Sequence, residues 1–351
     1  MRLIVSLAIF INLFLLANAQ QKEVNLLFVG DAMQHMPQVE AAQTPDGYFY
    51  DSCFYLLKDK IESADLSCVN FETTLGGPPF RGYPMFSSPD EYAVALKDVG
   101  FDIFFLANNH IMDSGKQGLE RTLDVLDSIG VKHTGVFKRK ESFALTYPLM
   151  IIKNGIRIAF LNYTYDTNGI KVVAPNIVNT IDTIQIKRDI RLAKLYKPDI
   201  IIANMHWGDE YFTRQNKEQE RLASFLFDNG VRIIIGNHPH VVQPMIKNVK
   251  DNKIESVVFY SLGNFISNQR KTNTDGGAIA EIKIRKTGDD GELEIVSCNY
   301  SLAWVRKYME GRKMKYTLIP KDYANEVSLA LDEEDIMKTF FKNAKLIIEG
   351  K

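Results

Sequence analysis

Seven short runs rich in Val, Ile and Phe recur along the chain, at residues 25–29, 66–70, 102–107, 157–162, 199–205, 232–235 and 256–260, with longer amphipathic stretches between most of them. This alternation predicts an α/β architecture with a mostly parallel sheet. Helix punctuation falls in the gaps. Ser88-Pro89-Asp90-Glu91 reads as an N-cap serine, a first-turn proline and a capping acid, with Gly100 as the stop. Further helices are expected at about 116–129 before Gly130, at 182–196 before Lys197-Pro198, and at 217–228 before Gly230. Beyond Gly277, residues 278–285 and 293–298 flank a Gly288-Asp289-Asp290-Gly291 turn and predict a β-hairpin. A last helix, about 333–347, is expected to pack peripherally.

The start of the chain has another character. Met1-Arg2, an apolar run over 3–17 and Ala17-Asn18-Ala19 are the parts of a secretory signal peptide, residues 1–19. The run is short of the roughly 20 apolar residues a spanning helix needs, and an uncleaved anchor is the alternative reading. Residues 20–351 are then expected to form a single exported domain that is periplasmic, on the cell surface or extracellular, with no transmembrane helix after cleavage. Such a length suffices for a large core. With 42 Lys plus Arg against 43 Asp plus Glu, nothing favours nucleic acid or a broad polyanion-binding surface. Cys53, Cys68 and Cys298 are too few for a disulfide scaffold and read as free thiols.

Six of the runs lead directly into chemically capable side chains. They deliver Gly30-Asp31, Phe71-Glu72, Asn108-Asn109-His110, His206-Trp207-Gly208-Asp209, Gly236-Asn237-His238-Pro239-His240 and Ser261-Leu262-Gly263-Asn264. Ligands of open α/β sheets bind beyond the carboxyl ends of strands, so one edge would gather all six. Asp31, Glu72, Asn109, His206, His238 and His240 offer carboxylate, amide and imidazole donors without a thiolate. That set suits one or two divalent ions such as Zn, Mn or Fe. Pro239 limits the freedom of the loop bearing His238 and His240. Each residue also has a structural reading: Asp31 as a cap, Glu72 as a surface acid, His110 as a turn residue, His206 as a core imidazole. His35 and His133 have no strand-end partner and read as structural or supporting. Phosphate-loop, dinucleotide, nucleophile-elbow and His-Glu-x-x-His signatures are absent. The Lys313–Lys315 cluster reads as a solvated face.

The ordered set Gly30-Asp31, Asn70-Phe71-Glu72, Ala107-Asn108-Asn109-His110 with Asp113 and Gly115, His206 to Tyr211, Gly236 to His240 and Ser261 to Phe265 resembles the CapA family of poly-γ-glutamate capsule biosynthesis proteins, within the calcineurin-like metallophosphoesterase superfamily. The resemblance extends from about residue 25 to residue 267. It implies a four-layer αββα sandwich of mixed sheets with helices outside and a metal centre at the strand ends. Asp31, Glu72, Asn109, His206, His238 and His240 would then be ligands or close neighbours, and His110 the proton donor to the leaving group. Two features depart from the superfamily pattern. Its Asp-x-His motif is here Asp31-Ala32-Met33, with His35 two residues on, and Asn70-Phe71-Glu72 replaces the usual bridging aspartate. One ion, or a weakly held second, is the resulting expectation.

The implied function is that of an exported capsule biosynthesis protein with metal-assisted hydrolysis or transfer at a phosphoester or amide/acyl centre. Asn70, Asn109 and Asn264 are the candidate hydrogen-bonding contacts to substrate. Arg81, in the 80–86 loop, is the candidate contact to an anionic group. The alternative is a non-catalytic factor that binds or anchors capsule polymer. Expected partners are an anionic capsule polymer or small anionic substrate, and other capsule biosynthesis proteins.

Overall fold

Successive side chains of a strand leave for opposite faces, and here that alternation sorts the core into three apolar layers. The computed structural model describes residues 21–288 and 291–351; the expected signal peptide lies outside the described residues. The strands of the main sheet are β1 (Gln21–Ala32), β2 (Leu66–Phe71), β3 (Ile103–Phe105), β4 (Lys132–Thr134), β5 (Leu149–Lys153), β6 (Ile156–Thr164), β7 (Ile200–His206), β8 (Ile233–Asn237), β9 (Met245–Lys250), β10 (Lys253–Phe259), β11 (Asn264–Ile266), β12 (Gly276–Thr287), β13 (Leu293–Glu310) and β14 (Lys313–Pro320). The longer helices are α1 (Met36–Ala42), α2 (Asp90–Asp98), α3 (Gly115–Ile129), α4 (Thr183–Leu195), α5 (Lys217–Asp228) and α6 (Leu331–Ile348).

Strand order is β4-β3-β2-β1-β12-β13-β10-β8-β7-β6-β5, with β11 on β1, β9 on β10 and β14 on β13. Two parallel blocks, β1 to β4 and β6-β7-β8-β10, are joined through antiparallel β12 and β13. The ladder between the two halves is continuous only at the pair Ile254↔Ile295. The halves pack face to face. Val24, Leu26 and Phe28 of β1 share one core with Ile200 and Ile202 of β7 and Ile233 and Ile235 of β8. The opposite face of the first half, with Leu27, Val29 and Phe104, takes Tyr92 and Leu96 of α2 and Leu119, Leu123 and Leu126 of α3. The opposite face of the second half, with Ile201, Ala203 and Ile234, takes Ile186 and Ile190 of α4 and Leu222 and Leu226 of α5. Helix, sheet, sheet, helix is the four-layer order that the sequence led us to expect.

Local signals act as read in most places. Gly130 closes α3 in the left-handed region at φ 77°, and the Asp182 carboxylate caps α4 by accepting the Ile184 N–H at 2.8 Å. At α2 the N-cap is Pro89 rather than Ser88, whose hydroxyl instead pairs with Thr73 Oγ1 at 2.7 Å. All three cysteines are buried and unbridged.

The C-terminal part is not peripheral. β12 lies in the middle of the ladder, pairing β1 from Gln21↔Thr287 to Val29↔Ile279. Met337, Phe340, Phe341, Ala344 and Ile348 form a helical stripe that α6 buries in the core between the halves. The Lys313–Lys315 cluster is likewise half-buried, because it belongs to β14. Phe340→Ala should therefore lower the unfolding free energy by about 3–4 kcal/mol in urea denaturation, as for a core aromatic. A loss below about 1 kcal/mol would be the behaviour of a peripheral helix.

Candidate metal centre

The site begins with a close crossing of two backbones. A Cβ built on Gly30 would stand 1.8 Å from the Gly263 carbonyl oxygen, so only glycine permits this approach of β1 to the turn before β11. Asp31 N–H donates to that carbonyl at 2.9 Å, and Asp31 pairs in register with Asn264. Asp31 is thereby held at the strand end, fully buried, facing the second half.

Its carboxylate is a hub. Asn70 Nδ2 donates to Oδ1 at 2.8 Å, the His238 N–H reaches Oδ2 at 3.3 Å, and His240 Nδ1 lies 3.0 Å from Oδ2. Asn70 Nδ2 also lies 3.1 Å from Glu72 Oε2. Glu72 Oε1 has no hydrogen-bond partner, and it lies 3.7 Å from His206 Nε2 and 3.9 Å from His240 Nε2. Asn109 Oδ1 stands 2.7 Å from His206 Nε2, and its Nδ2 donates to Asn168 Oδ1 at 3.1 Å, which turns the amide oxygen toward the imidazole. His238 Nδ1 is buried without a partner. Two groups of potential ligands result, Glu72–His238–His240 and Asp31–Glu72–His206, each with its donor atoms within 4.8 Å of one another. Glu72 belongs to both.

The electrostatics agree with a cation site. Burial, and then the neighbouring Asp31, push the Glu72 carboxyl well above the usual range. Burial holds His206 well below the ordinary imidazole value and takes His238 down to about 3. These imidazoles are therefore neutral near pH 7, with lone pairs to offer. Neutral imidazoles, two adjacent carboxylates, and unpartnered Glu72 Oε1 and His238 Nδ1 form a donor set that fits a divalent ion.

Beside this cluster stands His110. Its Nδ1 lies 2.7 Å from Asp113 Oδ2, and Asp113 also accepts the Phe86 N–H at 2.7 Å. The carboxylate fixes the ring with Nδ1–H toward it. Phe86 packs edge-on to the His110 ring at 4.6 Å. The partnership with Asp113 went unassigned in the sequence, although the His-x-x-Asp spacing was visible. Asn168 and Tyr165, whose ring lies 4.5 Å from His238, come from the loop after β6, the one whose strand-end position was the available signal.

The remaining candidates are placed differently. Asn70 is fully buried, with its amide engaged by the two carboxylates. Asn264 donates to Thr274 O at 2.7 Å and Gln269 Oε1 at 3.0 Å, leaving only Oδ1 unpartnered. Arg81 is exposed and bonded to Ser114 Oγ at 3.2 Å, so it is Phe86, not Arg81, that carries its loop onto His110. His35 Nδ1 accepts the Asn268 N–H at 3.3 Å and joins neither ligand group. His133 pairs with Asp127 at 3.0 Å.

Comparison with known proteins bears on the family and the fold. The profile of the family described as "Bacterial capsule synthesis protein PGA_cap" matches residues 25–269. The chain is 29% identical over 331 residues to the PGA biosynthesis protein CapA of Bacillus subtilis, covering 89% of this chain and 81% of that one. It is 27% identical over 297 residues to the capsule biosynthesis protein CapA of Bacillus anthracis, covering 80% and 68%. Among solved structures, the calcineurin-like phosphoesterase YfkN of Bacillus subtilis superposes with a TM-score of 0.50 at 14% identity, covering 93% of this chain and 98% of that one. It shares the fold.

Purified wild-type chain should carry divalent metal measurable by elemental analysis. Because both ligand groups use Glu72, Glu72→Ala should lose essentially all of it, whereas His238→Ala removes a ligand from only one group. Wild-type metal content in folded Glu72→Ala would exclude a site built on that carboxylate.

Proposed function

The chain belongs to the bacterial capsule synthesis family PGA_cap and has the fold of a calcineurin-like phosphoesterase, and from that premise we propose that the strand-end cluster is a hydrolytic metal centre serving capsule polymer biosynthesis. Its substrate bond is a phosphoester or an amide. The observation that carries this reading is Glu72 shared between two buried ligand groups, in the same edge as the His110–Asp113 pair. The apolar start and Ala17-Asn18-Ala19 support an exported protein. An anionic capsule polymer is the client that the names of the two relatives support.

Asp31, Glu72, His206, His238 and His240 would hold the ion, with Asn109 beside His206. A divalent ion in such a site stabilises developing negative charge and acidifies a water. Asn70 links the two carboxylates through one amide and keeps them from swinging apart. His110, oriented through Nδ1 by Asp113, has Nε2 left to deliver a proton to the departing oxygen or nitrogen. Asp113 holds the ring's tautomer and orientation. Phe86 covers one side of that ring and limits water there.

His110→Ala should lower kcat roughly 10²–10³-fold on an aryl phosphodiester or a γ-glutamyl anilide with metal content unchanged, the usual contribution of a general acid. Asp113→Asn should slow turnover less, because the ring keeps a hydrogen-bonding neighbour at Nδ1 but loses the acceptor that fixes its tautomer. Full metal occupancy with no turnover of either substrate, but intact polymer binding, would replace catalysis by a binding or anchoring role.

A further inference from the structure

The segments that pack beside the cluster carry cations in a way the chain as a whole does not. The net charge is −1 over 351 residues. Yet the segment that leaves β11 carries Arg270 and Lys271 side by side, and β13 lays Lys307 against it. Among the described residues none of these three forms an ion pair. Each has an aromatic face instead. The Arg270 guanidinium lies 5.9 Å and the Lys307 ammonium 6.0 Å from the Tyr316 ring, and the Lys271 ammonium lies 3.6 Å from the Tyr211 ring. Burial and the nearby Arg270 charge hold Lys307 below the ordinary lysine value.

These contacts connect to the metal cluster by short steps. Lys307 Nζ and Tyr316 OH both donate to Asn268 Oδ1, at 3.0 and 2.6 Å. The Asn268 N–H in turn holds His35 at 3.3 Å. The Tyr211 ring stands 6.1 Å from that of His240, and its N–H donates to the Pro239 carbonyl between the two ligand histidines. Gln269 is tied to Asn264, the register partner of Asp31. The nearest acid on the segment, Asp275, accepts the Trp304 indole N–H at 2.7 Å. Asp275 offsets part of the Arg270 charge without forming an ion pair with it, and Arg270 and Lys307 repel one another, a repulsion that a bound anion relieves.

We propose that Arg270, Lys271 and Lys307, backed by Tyr211 and Tyr316, form an anion-binding rail that seats the carboxylate or phosphate groups of a polyanionic substrate on either side of the bond presented to the metal cluster. The rail rests on the reading of that cluster as the reacting centre, so its test uses binding and metal content rather than turnover. The full chain is titrated with fluorescent poly-glutamate, with polyphosphate of matched charge, and with neutral poly-glutamine. The variants are Arg270→Gln/Lys271→Gln/Lys307→Gln, the charge reversal Arg270→Glu/Lys271→Glu that leaves Lys307 on Asn268, and a control pair on another surface, Lys250→Gln/Lys253→Gln.

Each lost cation should weaken polyanion binding about threefold and the triple variant roughly thirtyfold, as for partly exposed charges. Poly-glutamine should bind no variant, and the control pair should change affinity by less than about twofold. A larger loss for poly-glutamate identifies carboxylates as the occupants, a larger loss for polyphosphate identifies phosphates, and equal losses identify a general anion rail. Wild-type affinity in both folded rail variants, or equal weakening in the control pair, overturns the rail. Metal content is read on the same samples. A metal-free wild type that still loses polymer on rail substitution would sink the hydrolytic reading and leave the rail standing.

Discussion

One carboxylate, that of Asp31, ties the two halves of the molecule together at the edge where their strands end. It projects from β1 of the first half and receives Asn70 from the neighbouring strand and the His238 N–H and His240 Nδ1 from the second half. A buried carboxylate loses several kcal/mol of solvation, and each hydrogen bond to a charged group returns about 1.5–3 kcal/mol. Three donors bring Asp31 close to balance. Glu72, equally buried, has only the shared Asn70 amide and one unpartnered oxygen. It must therefore take up a proton or a cation, and the raised carboxyl value reports that demand. The fit of the cluster to a cation arises from this imbalance as much as from the count of histidines.

The fold makes the imbalance possible. Parallel strands deliver their chain ends to one edge, and two parallel blocks packed face to face deliver two sets of ends to the same place. Neither block holds the cluster alone: Asp31 and Glu72 come with β1 and β2, His206, His238 and His240 with β7 and β8. The core between the halves, dominated by Ile, Val and Phe, fixes their spacing. Gly30 against the Gly263 carbonyl is the local counterpart of that packing, since any side chain there would push β1 off β11 and carry Asp31 with it.

Much of this was legible in the sequence because buried parallel strands are continuous apolar runs, and the polar residues at the end of each run stand out by contrast. The helix Lys217–Asp228 was bounded to the residue, since Asn216 caps it in a capping box with Gln219. Which residues fill which of the three core layers was not visible, because a run such as Ile233–Ile235 does not say which alternate residues face which layer. The last helix was misjudged because its apolar stripe fits a surface helix as well as a buried one, and only the antiparallel β12–β13 pair gives it a sheet to cover. The cationic wall was illegible for another reason. Residues 211, 270, 271, 307 and 316 share no period and come together only through tertiary packing.

The two ligand groups are also chemically unequal. Glu72, His238 and His240 offer two nitrogens and one oxygen, whereas Asp31, Glu72 and His206 offer two oxygens and one nitrogen. With neutral imidazoles the first group carries one negative charge and the second two when both acids are ionised. The nitrogen-rich group suits a borderline ion such as zinc or iron, and the oxygen-rich group a harder one such as manganese. Met33 sharpens this inequality, for it supplies a thioether where the superfamily pattern has an imidazole, and His35 is committed to Asn268. Loss of that nitrogen leaves the charge of the site unchanged but takes away a donor, so that any second ion would depend on Glu72. Such a centre would bind one ion on its own terms and a second chiefly through a carboxylate the two would share. An anionic group brought along the cationic wall would then meet a cluster whose net charge is set by metal loading, and loading and substrate grip would become coupled through Glu72.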